Sequence, residues 1–369
     1  MEVMNRTSVK FQGLSGCALS HSLGVAYLAD RGFERFSKES RFGDSKELHL
    51  AFTIAALIHD IGHGPYGHTM DLVRRYLGDL DGHEDDTGRI FNQIFDKKTS
   101  FADLDLALNS VPVARDVLQE ILAGEHPLGK VLSNSGCDID RLDFVMRDSA
   151  VTLASVADKK SQDRRDLDLL VGNYVQLLHG IHFIESGGTI SLCFQNRLRP
   201  SLQAFARLYC KLYNKVYYGW QNTAARLMLA SAVVEMVHSQ KVEFSDLKPL
   251  TDIELLATLE DFEHPRVREL AHLVKYRRLF GVIKDKEIAD ADESEMFALQ
   301  TDEEAVRKFG GIDYAEGMLV ARLPSKRVKC RFVKESSSNG GEDLFTQECS
   351  DDEVLDSAPA RIMIFRPPK

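Results

Sequence analysis

The stretch IAALIHDIGHGPYGH, residues 54–68, ends an apolar helical run with three histidines, one aspartate, three glycines and a proline. An aspartate at the end of an apolar run is rarely buried without a partner. Neighbouring helical residues project about 100° apart, so His59 and Asp60 can flank a metal ion lying off the helix end. Gly62, Gly64 and Pro65 then break the helix, and the break turns His63 and His68 back toward the same place. The competing reading is a polar helix C-terminus whose histidines compensate the helix dipole.

Further donors stand on either side of this stretch. Six of the twelve histidines fall between His21 and His83, an unevenness that marks a site. His21 opens the helical pattern HSLGVAYLAD. Asp140 sits in CDIDRLDFVMRDS, where Asp140, Asp143 and Arg147 recur at helical intervals. Imidazoles and carboxylates without cysteine suit a divalent metal in a catalytic role rather than a structural thiolate zinc site. Iron, manganese, magnesium, nickel and zinc all fit such donors. The run HED at 83–85 sets a histidine beside a carboxylate, which can orient a general acid or, in the bland alternative, cap a helix.

Composition narrows the classes. The chain has 369 residues, 44% hydrophobic and 28% charged, the profile of a globular protein with ample chain for a core. A net charge of −10 lacks the basic surface that phosphate-backbone binding needs, so a nucleic-acid polymer is disfavoured as partner. The six cysteines are scattered without a CxxC pair and read as reduced thiols of a cytoplasmic protein. No apolar run reaches the roughly 18 residues of a membrane span, and the N-terminus has no apolar signal core.

Apolar periodicity predicts five to seven helices from about Ser20 to Ser149. NYVQLLHGIHFIESGGTISLCF, residues 173–194, reads as two or three short strands around a GG turn. A long helical run follows Pro200 to about His238, then two helices around residues 252–262 and 264–280. The charged run IKDKEIADADESE reads as a solvated linker or helix face, and RVKCRFVKE and ARIMIFRPP as strands flanking a polar, glycine-rich loop. The expected fold is mainly α: a helical core over residues 1–165, a helical extension with a short β-hairpin over 166–320 that completes the pocket, and a β-rich segment over 321–369.

HSLGV, HDIGHGPYGH, the downstream HE pair and DIDRLDFVMRDS together resemble the HD superfamily of metal-dependent phosphohydrolases. More narrowly they are similar to its deoxynucleoside triphosphate triphosphohydrolase branch, including the enzyme with an added sterile-alpha-motif domain. The resemblance runs over roughly residues 15–285 and implies an HD-type helical bundle. It implies that His21, His59, Asp60 and Asp140 hold the metal. It also implies that His83 is the general acid, oriented by Asp71 or Glu84. His63, His68, Arg141, Asp143, Phe144 and Tyr217 would face the substrate, Arg141 at phosphate and Asp143 at the sugar hydroxyl. A cytoplasmic homo-oligomer acting on a nucleotide is the corresponding expectation. The chain departs from the pattern at Ala18 and Tyr209, where arginines are usual, and at Gly219-Trp220 in place of a basic pair. These departures keep open a substrate with fewer phosphates or a specialised phosphoester. A nucleotide-binding regulator without turnover is the alternative from another class.

Overall fold

In the computed structural model the described residues are 18–38, 42, 45–77, 87, 115–133, 136–153, 160–186, 188–239, 242–288, 318–333 and 350–368. His83 and Glu84, two of the expected catalytic residues, lie outside them, as does the loop expected at 335–343.

Twelve α-helices form the body among the described residues: α1 Ala18–Phe36, α2 Lys46–Ile58, α3 His68–Leu77, α4 Arg115–Leu122, α5 Pro127–Leu132, α6 Ile139–Asp148, α7 Gln162–His179, α8 Arg199–Leu212, α9 Trp220–His238, α10 Phe244–Leu247, α11 Asp252–Asp261 and α12 Pro265–Lys275. Local chemistry sets several of their starts. Ser45, Asp138 and Ser161 cap α2, α6 and α7 by accepting a backbone N–H three residues on, and Thr251 with Glu254 closes a capping box on α11.

The helix α9 runs through the middle. Ala224, Leu227, Met228, Ala230, Val233 and Met236 are all buried, so it is apolar nearly all round, as a helix enclosed by neighbours must be. It packs against α3, α12 and α8's C-terminal turn, while α1 packs on α2, α6 and α7. Phe36, Phe52, Phe205, Phe280 and Phe365 are fully buried, and Phe36 packs on Phe52 and on Phe183 of the chain's first strand. Complete burial of such a side chain is worth about 1.5–3 kcal/mol.

Seven described strands, β1 Ile181–Ser186, β2 Thr189–Phe194, β3 Gly281–Ile288, β4 Leu319–Leu323, β5 Lys326–Cys330, β6 Glu353–Ala358 and β7 Ala360–Arg366, make a β1-β2 hairpin, a β5-β6 pair and an antiparallel sheet of order β3-β7-β4. β7 is its central strand, with Ile362, Met363, Ile364 and Phe365 unexposed. The pair β5-β6 lies on α8, and Phe194 bridges to Phe332. The expected boundaries at 165 and 320 fall inside α7 and β4.

Three expectations are corrected. NYVQLLH is the last turns of α7, with Leu177 buried two turns after the buried Leu170, and strand begins only at Ile181. IKDKEI is not a linker but the edge strand β3, whose charges leave the buried work to β7 and guard the free edge. Cys137, Cys210 and Cys330 are buried free thiols as expected, whereas Cys193 is disulfide-bonded. No helix among the described residues is long and apolar enough to cross a membrane.

Candidate metal centre

Three elements far apart in sequence bring their polar ends together. α1 carries His21, the turn closing α2 carries His59 and Asp60, and the first turn of α6 carries Asp140. His21 Nε2 lies 3.1 Å from Asp140 Oδ1 and 3.6 Å from Asp60 Oδ2. His59 Nε2 lies 3.4 Å from Asp60 Oδ1 and 3.7 Å from Asp140 Oδ1. Ligands held at about 2 Å from one ion and roughly a right angle apart are separated by about 3 Å, so these distances match the edges of a coordination shell. His21, His59 and Asp140 offer donor atoms that all lie within 4.8 Å of one another.

The protonation pattern suits a cation. His59 Nδ1 is 2.9 Å from the carbonyl of Ala56, which can only accept, so Nδ1 carries the proton and Nε2 keeps its lone pair. That Nε2 is buried without a hydrogen bond of normal geometry and faces the carboxylates of Asp60 and Asp140; a lone pair set against two acids is favourable only with a proton or a cation between them. His21 Nδ1 is likewise engaged, 2.8 Å from Asp143 Oδ2, which leaves its Nε2 to the centre. The residues present therefore fit a divalent metal.

Without a cation, the acids draw protons onto the imidazoles. Burial alone would lower the pKa of His21, but hydrogen bonds to Asp140 and Asp143 and the charges of Asp140 and Asp60 outweigh it and raise the value to about 10. Burial opposes and Asp60 and Asp140 raise the pKa of His59 in the same way. Burial alone would raise that of Asp140, yet its bonds to His21 and His59 hold it well below the usual carboxylate range.

Beside this centre lies a second donor group, His63, His68 and Asp71. Tyr66 and Gly67 adopt φ of 57° and 52°, a left-handed step that reverses the chain between the two histidines. Tyr66 is not a residue that favours this region, and its N–H donates to the buried carboxylate of Asp252 at 2.6 Å, which fixes the turn. The rings of His63 and His68 meet edge to face at 4.7 Å. His63 Nε2 is 3.6 Å from Asp60 Oδ1, and His68 Nδ1 is 2.8 Å from Asp71 Oδ2.

An aromatic wall follows α6 and α8. Phe144 stands 6.1 Å from both Tyr209 and Tyr217, and Tyr213 lies 4.7 Å and 5.0 Å from the same two tyrosines. Both helices end in π turns, Ser149–Leu153 and Tyr213–Tyr217, a form that recurs at functional sites. The second turn is tied to the last residue of α6 by the Tyr217 hydroxyl, which donates to the buried carboxylate of Asp148. Arg141 pairs with Asp138 at 2.9 Å, and that charge raises its pKa further.

Residues 18–162 match the family described as HD domain. This stretch is an HD domain. Within it fall the four expected metal ligands and both histidine-bearing turns, whereas Tyr209, Tyr213 and Tyr217 come from beyond the HD domain. Across 262 residues, 70% of this chain and 48% of the relative, it is 24% identical to "Uncharacterized protein MJ1154" of Methanocaldococcus jannaschii. The "Deoxynucleoside triphosphate triphosphohydrolase SAMHD1 homolog" of Dictyostelium discoideum is 22% identical over 85% of this chain and 59% of its own length. "Deoxynucleoside triphosphate triphosphohydrolase SAMHD1" of Bos taurus is 44% identical over 62 residues, 16% of this chain and 10% of that protein. The chain thus spans about half the length of the first of these relatives.

The HD domain brings His21, His59, Asp60 and Asp140 together, with His63 against Asp60 and His68 against Asp71. The Asp143 carboxylate, expected at the sugar hydroxyl, accepts from His21 and Arg147. Asp148 is the acid on the side of Tyr217. Asp148, Asp138 and Asp252 were missed in the sequence. Asp138, directly before IDRLD, carries the signal of an N-cap that could have found it.

Proposed function

We propose that this chain is a phosphohydrolase that cleaves a nucleotide at a divalent metal held by His21, His59, Asp60 and Asp140. A deoxynucleoside triphosphate, released as deoxynucleoside and triphosphate, is the favoured substrate. The observation that carries the reading is the convergence of these four side chains, with the buried Nε2 of His59 facing both acids at 3.4 Å and 3.7 Å beside the donor of His21. A bound divalent ion supplies Lewis acidity, lowering the pKa of water and neutralising charge that develops on phosphate oxygens.

The chain's own groups supply the rest. The carbonyl of Ala56 and the carboxylate of Asp143 keep the protons of His59 and His21 on Nδ1, so both Nε2 atoms present lone pairs. His68, with Nδ1 on Asp71, can hold a proton on Nε2 for an oxygen of the leaving group. His83, oriented by Asp71 or Glu84, is the proposed general acid by resemblance. Phe144, half-buried, gives an apolar edge for sugar or base, backed by the buried ring of Tyr217 with its hydroxyl on Asp148.

One observation favours a second reading, a shorter phosphate chain or another small phosphoester. Arg141 is committed to Asp138, and the neighbouring Tyr209 is buried among aromatic rings. Each phosphate oxygen taken from water must regain a charge-assisted hydrogen bond. A matrix of metals against nucleoside mono-, di- and triphosphates, with phosphate products resolved, tests both. Inorganic triphosphate marks the first reading and stepwise orthophosphate the second. Binding without hydrolysis under every metal would mark a regulator and defeat both. A homo-oligomer in the cytoplasm belongs to the same proposal, tested by sedimentation and cell fractionation.

A further inference from the structure

The imidazole of His21 is held from behind by a clasp between α1 and α6. Arg147 Nη2 donates to Asp143 Oδ1 at 2.9 Å and to the carbonyl of Ser20 at 2.8 Å, while its Nε reaches Asp143 Oδ2 at 3.2 Å. Asp143 Oδ2 in turn accepts from His21 Nδ1 at 2.8 Å. The carboxylate is buried, with 9% of its side chain exposed.

Space for the clasp comes from Gly24, three residues after His21 and so on the same side of α1. A Cβ at Gly24 would lie 2.0 Å from Asp143 Oδ1 and 2.5 Å from Arg147 Nη2. Any larger residue would drive the carboxylate away from His21. An exposed i,i+4 pair contributes only a few tenths of a kcal/mol to a helix. This pair instead spends its fork on a backbone carbonyl and a buried acid, and that acid faces an imidazole of the metal centre.

We propose that Asp143 and Arg147 are positioning residues for the metal centre. Asp143 fixes the ring angle of His21 and keeps its Nε2 toward the ion, Arg147 fixes Asp143, and Gly24 is required for both. The inference rests on the metal site of the proposed function. Groups that orient metal-ligating histidines typically change metal affinity by about 10- to 100-fold when removed.

The test measures Mn²⁺ affinity of the full chain by chelator competition, and thermal stability of the metal-free protein, for each variant. Asp143→Ala should weaken Mn²⁺ binding by about 10- to 100-fold. Arg147→Lys, which keeps charge but loses the fork, and Gly24→Ala should weaken it in the same direction. Asp143→Asn should recover part of the loss, because its amide oxygen still accepts from Nδ1. Leu28→Ala, a core truncation in the same α1, should lower thermal stability and leave Mn²⁺ affinity unchanged. Wild-type affinity in Asp143→Asn and Arg147→Lys together with Asp143→Ala would overturn the inference while leaving the metal site intact. So would affinity losses that track stability equally in Leu28→Ala. If Asp143→Ala fails to fold, Asp143→Asn and Arg147→Lys decide alone. Absence of Mn²⁺, Fe²⁺ and Zn²⁺ binding by the wild type would instead defeat the metal site itself.

Discussion

Loading the centre with metal should release protons, and the amount follows from the geometry. In the metal-free protein His21 titrates near 10 against an ordinary 6.5, and His59 is raised as well. A raised histidine pKa contributes stability that is fully present below 6.5 and is lost as pH rises through the folded value. Between pH 6.5 and 10 the folded state binds the extra proton on His21, so stability of the metal-free protein should fall by at most ~1.4 kcal/mol per pH unit from this histidine, and the raised His59 adds in the same direction. An ion on Nε2 must displace that proton. At pH 8, calorimetric titration with Mn²⁺ in buffers of different ionisation enthalpy should report about one proton released per ion, the one held by His21. The metal-loaded protein should lose this slope of stability with pH. Zero proton release at pH 8, or stability of the metal-free protein that rises from pH 7 to 9, would refute the assignment of these imidazoles to one centre.

Asp60→Ala should abolish metal retention and turnover together, read by elemental analysis and phosphate release; full activity with retained metal would place the site elsewhere. His83→Ala should lower turnover by about 10²- to 10⁴-fold with metal content near normal, whereas a simple helix cap would change only the melting temperature. Asp252→Ala strands the Tyr66 N–H and should cost about 1–3 kcal/mol in urea unfolding, with Asp252→Asn milder; no loss in either would show that the turn stands without this acid. Ala18→Arg should tighten triphosphate binding more than monophosphate binding in equilibrium dialysis, and equal gains would remove the case for a depleted phosphate clamp.

The convergence of His21, His59, Asp60 and Asp140 was legible because a helix ending in HD, then broken by glycine and proline, has few other uses for such polar residues. Which acid of α6 faces what was not legible. At about 100° per residue, Asp143 lies roughly 60° to one side of Asp140 and Asp148 roughly 80° to the other. Spacing alone cannot say which side meets α1; Gly24, by admitting the Asp143 carboxylate, decides it. The hold of Asp252 on Tyr66 was hidden for a different reason, since no local pattern ties a helix start to a backbone N–H in a distant turn. Residues 173–179 looked strand-like only while their leucines were read apart from the upstream turns of α7. β3 looked like a linker because an edge strand can be charged when its partner carries the burial.

The distance in sequence between Tyr66 and Asp252, 186 positions, has a meaning in time. At about 5–20 residues per second of synthesis, Asp252 is made roughly 10–40 s after Tyr66. His21, His59, Asp60 and Asp140 all precede that moment. A nascent chain therefore carries every proposed ligand of the metal centre well before the acid that locks the His63–His68 turn exists. The order of synthesis thus sets the four proposed ligands ahead of the acid that fixes the turn beside them.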